Sequence, residues 1–487
     1  VAKYGAFKYS EEKYGTGAQS TNLRWTFIVA WDGYWSHGNE AEKMIDLTVR
    51  RGRQWILAEG GLAPYGVGEA IAVLDNADGR YDPWNTDSPL YPNVTPGKFV
   101  RIAVLDHEND TNYGIMRGKI DDITLVKRGG NQEVARIKIM DGLSWLASKT
   151  INAGLNTTIA KSLVPIRILA PIAADWPANE WPRDISTDTD EMAYWWAWNQ
   201  NAYKALTEFN QAECAVAFHN RDGEFSWRPR DYAHERTQAI DQAVLLADIG
   251  RPNPWEVVRN AIRITASPKV LDSINDIVWQ LQTVPAIADG ETFYIEPIFK
   301  WEEWSNICGS SITFDFTVNA EEGGGGADLS DDCTLTYDTQ IGEGARLWLT
   351  NHSGTDGYIT LLKATGDALY APSIDIREAA DTDSQTNYGP KTLEIKSRWV
   401  EDTEYAQTLA TWLLSEFKDP LPYPVIQVEH RPSYQYYLDL YDRVQLTAAT
   451  LGIDDNFRVG AIEHQWLSPN GQAVRTTFWL EPYMQQT

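Results

Sequence analysis

The segment from Val67 to Ile123 places the tightest constraint on what this chain can fold into. Three runs, Ala70–Leu74, Phe99–Val104 and Ile115–Arg117, carry the short alternating pattern of half-buried strands. Between the first two lies Asp75–Lys98, a loop crowded with Asp, Asn, Pro, Gly and aromatic residues. A loop of about two dozen residues without structure of its own is usually functional or an interaction surface. Nothing in it has the make-up of a catalytic constellation. It reads as a shaped surface on a β scaffold, made to fit a neighbour.

The same β punctuation continues on both sides. Trp25–Ala30 runs into an Asp32-Gly33 turn, and Ile45–Val49 alternates before Arg50-Arg51-Gly52-Arg53. Lys119–Val126 and Val134–Met140 flank Arg128-Gly129-Gly130-Asn131, a hairpin signal. Further on, Ala202, Leu206, Phe209 and Ala212 repeat at helical spacing, and a hairpin turning at Asn220-Arg221-Asp222-Gly223 follows. Thr403–Phe417 reads as a helix whose stripe is Tyr405, Leu409, Leu413 and Phe417, stopped by Pro420. One pattern occurs twice. Val100-Arg101-Ile102 followed by Met116-Arg117-Gly118-Lys119-Ile120 is echoed by Val444-Gln445-Leu446 followed by Phe457-Arg458-Val459-Gly460-Ala461-Ile462.

These signals give a mainly β chain with α+β elements. A length of 487 residues accommodates about two to four domains at the usual ~100–200 residues each. The expected division is an N-terminal arm (1–22), a first β domain of barrel or sandwich type (23–150), a small α+β helix-hairpin domain (151–240), a second, similar β domain (241–272 and 380–487) and an inserted β-sandwich (273–379).

Charge excludes one broad class. Forty-two Lys and Arg against 68 Asp and Glu give a formal charge of −26, which lacks the basic footprint of a nucleic-acid gripper. It is compatible with a surface past which DNA slides without sticking. The 21 Trp and 23 Tyr serve cores and interfaces alike. No apolar run approaches the ~18–20 residues of a membrane span, and the first residues lack a signal-peptide core, so a soluble chain is expected.

The search for chemistry finds no nucleophile elbow, phosphate loop, dinucleotide fingerprint or zinc helix. The histidines at 37, 107, 219, 234, 352, 430 and 464 stand apart from one another. Asp75–Asp82 hints at a calcium loop but lacks its alternating order and distal Glu, so an Asx/Gly turn is expected. Adjacent carboxylates such as Asp121-Asp122, Glu302-Glu303 and Asp331-Asp332 point to opposite faces of a strand and make no glycosidase dyad. Cys214 reads as a small buried hydrophobe, and Cys308 and Cys333 are close enough in sequence to allow a pair. No catalytic, cofactor or metal residue is assigned, and no enzyme is expected. In the insert, Trp301, Trp304 and Trp348 are candidate glycan contacts, weighed against a purely structural role.

Three blocks, in order, carry a family resemblance: Asp46–Arg53 through Ile123; the helix and hairpin ending Phe218–Arg230; and Val258-Arg259-Asn260 with Ser384–Gly389, the 403–417 helix and the closing strands. Together they resemble the tail-hub or baseplate-hub proteins of tailed bacteriophages, including minor tail proteins of long-tailed phages. The resemblance implies two similar β-barrel hub domains and a homotrimeric ring with six quasi-equivalent barrels on a hexameric tail tube. It implies tail-tube, distal-tail, tip or fibre and tape-measure proteins as partners. It also implies a place in the virion tail tip after assembly in the host cytoplasm, and a channel through which DNA leaves without specific binding. The alternatives are a host-surface glycan-binding adhesin and a glycan hydrolase.

Overall fold

A computed structural model of the chain describes residues 23–33, 39–53, 64–128, 132–172, 182–188, 190–230, 232, 237–241, 249–302, 304–305, 307–338, 340–429, 431–468 and 473–483. The expected arm at 1–22 and the turn residues Gly129-Gly130-Asn131 lie outside them.

Strict alternation builds the first strands. Along Phe99–Asp106 every second residue is buried, so Val100, Ile102 and Val104 face a core while Arg101 and Ala103 face away. Six strands follow this logic: β1 (Leu23–Val29), β2 (Met44–Gly52), β3 (Gly66–Asp75), β4 (Phe99–Asp106), β5 (Thr111–Arg128) and β6 (Gln132–Met140), joined in the order β1-β4-β5-β6-β3-β2. From β2 the sheet continues without a break into Ile453–Trp466, which pairs antiparallel with it from Thr48↔Gln465 to Gly52↔Ala461. Beyond lie Arg443–Ala448 and Thr237–Asp241, while Val474–Pro482 and Val425–Glu429 extend from the other edge of Ile453–Trp466. The chain is thus mainly β, as expected. The expectation of two closed barrels is corrected: no sheet of the described residues closes, and both β regions are parts of one eleven-stranded sheet. A strand as long as Ile453–Trp466 explains this, because its first half serves the late strands and its second half serves β2.

That sheet carries two separate apolar cores. One gathers Phe27, Leu47, Val49, Ala72, Val100, Ile102, Ile137 and Ile139. The other gathers Ile426, Val428, Val444, Leu446, Phe457, Val459, Phe478 and Leu480. Both members of the sequence echo are antiparallel hairpins, with Val100 opposite Gly118 in one and Val444 opposite Phe457 in the other.

A third core lies around the helices Ala202–Glu213 and Thr403–Phe417. Asn201 and Asp402 cap them by accepting hydrogen bonds from backbone N–H groups of their first turns. The sheet formed by Ala261–Ala266, Asp375–Ala380 and Thr392–Lys396 contributes to this core. So does the strand Glu191–Asn201, whose Trp195 and Trp196 are buried. Between Val270 and Tyr370 two further sheets share a core of their own, including Val278, Val318, Leu347, Leu349, Ile359 and Leu362. Cys308 is buried in the third core, around the helices, and does not pair with Cys333, whose Sγ lies 3.7 Å from Asn351 Oδ1; all three cysteines are free.

Candidate functional site

The Asp75–Lys98 loop has a structure of its own after all. It is a ladder of backbone turns at a spacing of three. The N–H groups of Gly79, Asp82, Asn85, Ser88 and Tyr91 donate in turn to the carbonyls of Asn76, Gly79, Asp82, Asn85 and Ser88, at 2.9 to 3.2 Å. Short polar side chains reinforce the rungs. The Oδ1 atoms of Asp75, Asp78, Asp82 and Asn85 and the Oγ of Ser88 each accept from the N–H two residues on. Asx and Ser side chains favour this local geometry over helix or strand. The expected Asx/Gly turn at Asp75–Asp82 is therefore the first part of a longer device. Asn85 Nδ2 and Ser88 Oγ donate back to the carbonyls of Gly79 and Arg80, which curls the ladder on itself. Gly79 sits at φ +67°, where a side chain would also strike Asn85.

One buried carboxylate fastens this ladder to the sheet. Glu40 accepts from Tyr81 Oη at 2.6 Å, from Arg80 Nε and Nη2 at 3.1 and 2.9 Å, and from Trp31 Nε1 at 3.3 Å. Tyr81 is fully buried, and burial beside Glu40 pushes its phenol well above the usual range. At the exit, Gly97 N–H donates to the Ile120 carbonyl and Ile120 N–H to that of Lys98. The base is thus fixed on β5 while the outer turns face solvent. Trp84 is 82% exposed and Tyr91 46%.

On another part of the sheet, where β2 meets Ile453–Trp466, the motif Arg51-Gly52-Arg53 enters a buried ionic network. Arg53 and Arg458 both bind Glu481, at 2.8 and 2.7 Å, and Arg51 binds Asp439 at 2.7 Å; all five side chains are buried. Tyr65 and Tyr441 lie under the guanidinium groups of Arg53 and Arg458. Burial works against the Asp439 carboxylate, but Arg51, Arg221 and backbone N–H groups outweigh it and hold its pKa below the ordinary range. The hairpin tip closes the network: Arg221 N–H donates to Asp439, and Gly223 lies so close to Arg117 that a Cβ would fall 2.5 Å from its side chain. The first and second blocks of the family resemblance therefore meet here, in the interior. The closing strands of the third block join them through Arg458 and Glu481, and the earlier part of that block is tied elsewhere by Asn260, which is fully buried and bonds Ser384, Gly389 and Lys391.

The candidate glycan tryptophans do not form one site. Trp301 and Trp304 sit opposite each other on a short hairpin, and both pack on Tyr370, at 5.5 and 5.1 Å between ring centroids. Trp348 is on a different sheet, beside Tyr294. Trp304 and Tyr370 also line a cavity of about 250 Å³ with Trp196, Lys269, Glu343 and Arg398. Its charges are mutually satisfied, Arg398 by Glu343 and Lys269 by Glu401. Among the described residues no group of three or more His, Cys, Asp or Glu is placed to hold a metal ion, and no helix is long and apolar enough to cross a membrane.

No family model matches the sequence, and no curated protein matches it. Solved structures do match. The 43 kDa tail protein of prophage MuSo2 from Shewanella oneidensis aligns with a TM-score of 0.52 at 9% identity, covering 94% of this chain and 98% of that one. The tail protein from Neisseria meningitidis MC58 aligns at 0.50 and 10% identity, covering 94% and 96%. The chain shares the fold of these two proteins. At such low identity the likeness is one of architecture, and it runs through nearly the whole length of both tail proteins.

Proposed function

We propose that the chain is a non-enzymatic structural tail-hub protein of a phage tail tip or baseplate. Three copies form a ring that joins a hexameric tail tube to distal tip or fibre proteins and surrounds the channel through which DNA leaves. The observation that carries this reading is the sheet with two cores, whose halves meet along β2 and Ile453–Trp466, within a fold shared with two tail proteins across 94% of the chain. A chain with two similar β units gives a trimer six quasi-equivalent positions, which is what a sixfold tube requires. In this reading 23–150 and 241–272 with 380–487 are the two hub units, 151–240 is the α+β unit beside them, and 273–379 is a decoration. The protein belongs to the virion and assembles in the host cytoplasm. The formal charge of −26 suits a channel wall that must not hold DNA.

Mass photometry of the purified protein, with imaging of particles that contain it, tests the proposal. Three copies of 54.9 kDa give a species of about 165 kDa and a threefold ring at the tail tip. A monomer that never enters particles, or a ring whose channel wall is basic, would overturn it.

A further inference from the structure

The turn ladder has an outward face that its own hydrogen bonds leave unused. We propose that this face docks a protein other than this chain, one that presents an apolar pocket rimmed by lysine or arginine. The inference rests on the tail-hub reading and adds the residues and the chemistry of one contact.

Trp84 is the centre of the face. Among the described residues its indole has no ring or cation partner, and its backbone N–H donates to Asp82 Oδ1. Pro89, Tyr91 and Pro92 on the same loop are exposed as well. A large aromatic held out from a rigid support loses little conformational freedom on docking, which is how tryptophan comes to dominate interfaces. Here the support is rigid for stated reasons: repeated turns, a buried Tyr81 and the Glu40 anchor.

Charge selects the partner. Between Asp75 and Gly97 the loop has four aspartates and a single cation, Arg80, which is turned inward onto Glu40. Lys43 neutralises Asp78. Asp82 and Asp87, on either side of Trp84, have no ion-pair partner among the described residues, so the indole is framed by negative charge. A second copy of a chain with a formal charge of −26 brings more of the same sign. Like charges at a contact oppose it, whereas a basic rim gains from the aspartates and still accepts the indole.

The test places a photo-crosslinking benzoylphenylalanine at position 84, and in a control at position 337, in cells that produce the particles. Sedimented particles are irradiated and cross-linked peptides identified by mass spectrometry. The expected result is one dominant cross-link from position 84 to a different protein, on a peptide containing Lys or Arg, and not seen from position 337. Combining position 84 with Asp82→Asn and Asp87→Asn lowers its yield about tenfold at moderate salt. Particles that contain the protein but give no cross-link at 84, or one to a second copy, would overturn this inference alone. Absence of the chain from sedimenting particles would overturn the tail-hub reading and the inference with it.

Discussion

Arg53 Nη1 lies 2.8 Å from Glu481 Oε2, although 428 positions separate the two residues and neither side chain reaches solvent. The pair ties the strand exit of the first β region to the last strand of the second. Arg458 holds the other oxygen of the same carboxylate. One acid therefore serves two buried guanidinium groups.

Replacing that acid is expected to be severe. Glu481→Gln keeps the shape but leaves Arg53 and Arg458 without their counter-charge, and breaking a buried pair in this way costs about 3–5 kcal/mol. Urea unfolding followed by tryptophan fluorescence measures the loss. A change within a few tenths of a kcal/mol would mean that the network contributes little.

Gly52 tests the fit of the two strands. Its φ is +107°, and a Cβ there would stand 2.4 Å from the Gly460 carbonyl oxygen. Gly52→Ala is expected to cost about 2–4 kcal/mol, from backbone strain and collision together. Gly97→Ala is the control: φ is +86° with nothing within 4 Å of the added carbon, so strain alone remains, about 1 kcal/mol. Equal losses at the two positions would refute the close approach.

His464 gives a pH dependence with a definite sign. Burial, aided by the nearby Arg51 guanidinium, lowers its pKa from 6.5 to about 3. The unfolded chain then binds a proton that the folded one refuses. The contribution is fully present above pH 6.5 and is lost progressively as pH falls toward 3. Relative to its value at pH 7.5, wild-type stability at pH 5 should drop about 2 kcal/mol more than that of His464→Gln. Asp141, pushed up to about 7 by burial, acts in the opposite direction between its ordinary value and 7, and is common to both proteins. Parallel pH profiles for the two would contradict the assignment.

The tryptophans of the 270–370 region are expected to be structural. Trp301 and Trp304 pack on Tyr370, so Trp304→Ala should lower stability by about 2–3 kcal/mol through lost packing. The triple replacement of Trp301, Trp304 and Trp348 should leave retention on host polysaccharide unchanged. Loss of retention by a variant that is still folded would instead assign them to glycan binding.

What could be read in the sequence was whatever is local. The Thr403–Phe417 helix has its stripe at Tyr405, Leu409, Leu413 and Phe417 and its stop at Pro420 within a few residues of one another, and it forms with those bounds, capped in the structure by Asp402. The strands with clean alternation were visible for the same reason. Glu191–Asn201 was not, because Trp195, Trp196 and Ala197 are buried in succession and the period of two disappears. Turn chemistry in the long loop was legible residue by residue, but its regularity was hidden in the spacing of Asp75, Asp78, Asp82, Asn85 and Ser88. Sheet closure has no local signature, and neither does a buried ion pair. Arg51, Arg53 and Arg458 look like surface charges until the fold brings Asp439 and Glu481 to them.

The turn ladder also sets a rule for change. Its rungs recur every third residue from Asn76 to Tyr91, so adding or removing three residues lengthens or shortens it by a whole rung and keeps the next Asx or Ser in phase. Adding one or two residues throws every later rung out of step. Such a loop can alter its reach only in steps, while the indole at its crest keeps one orientation.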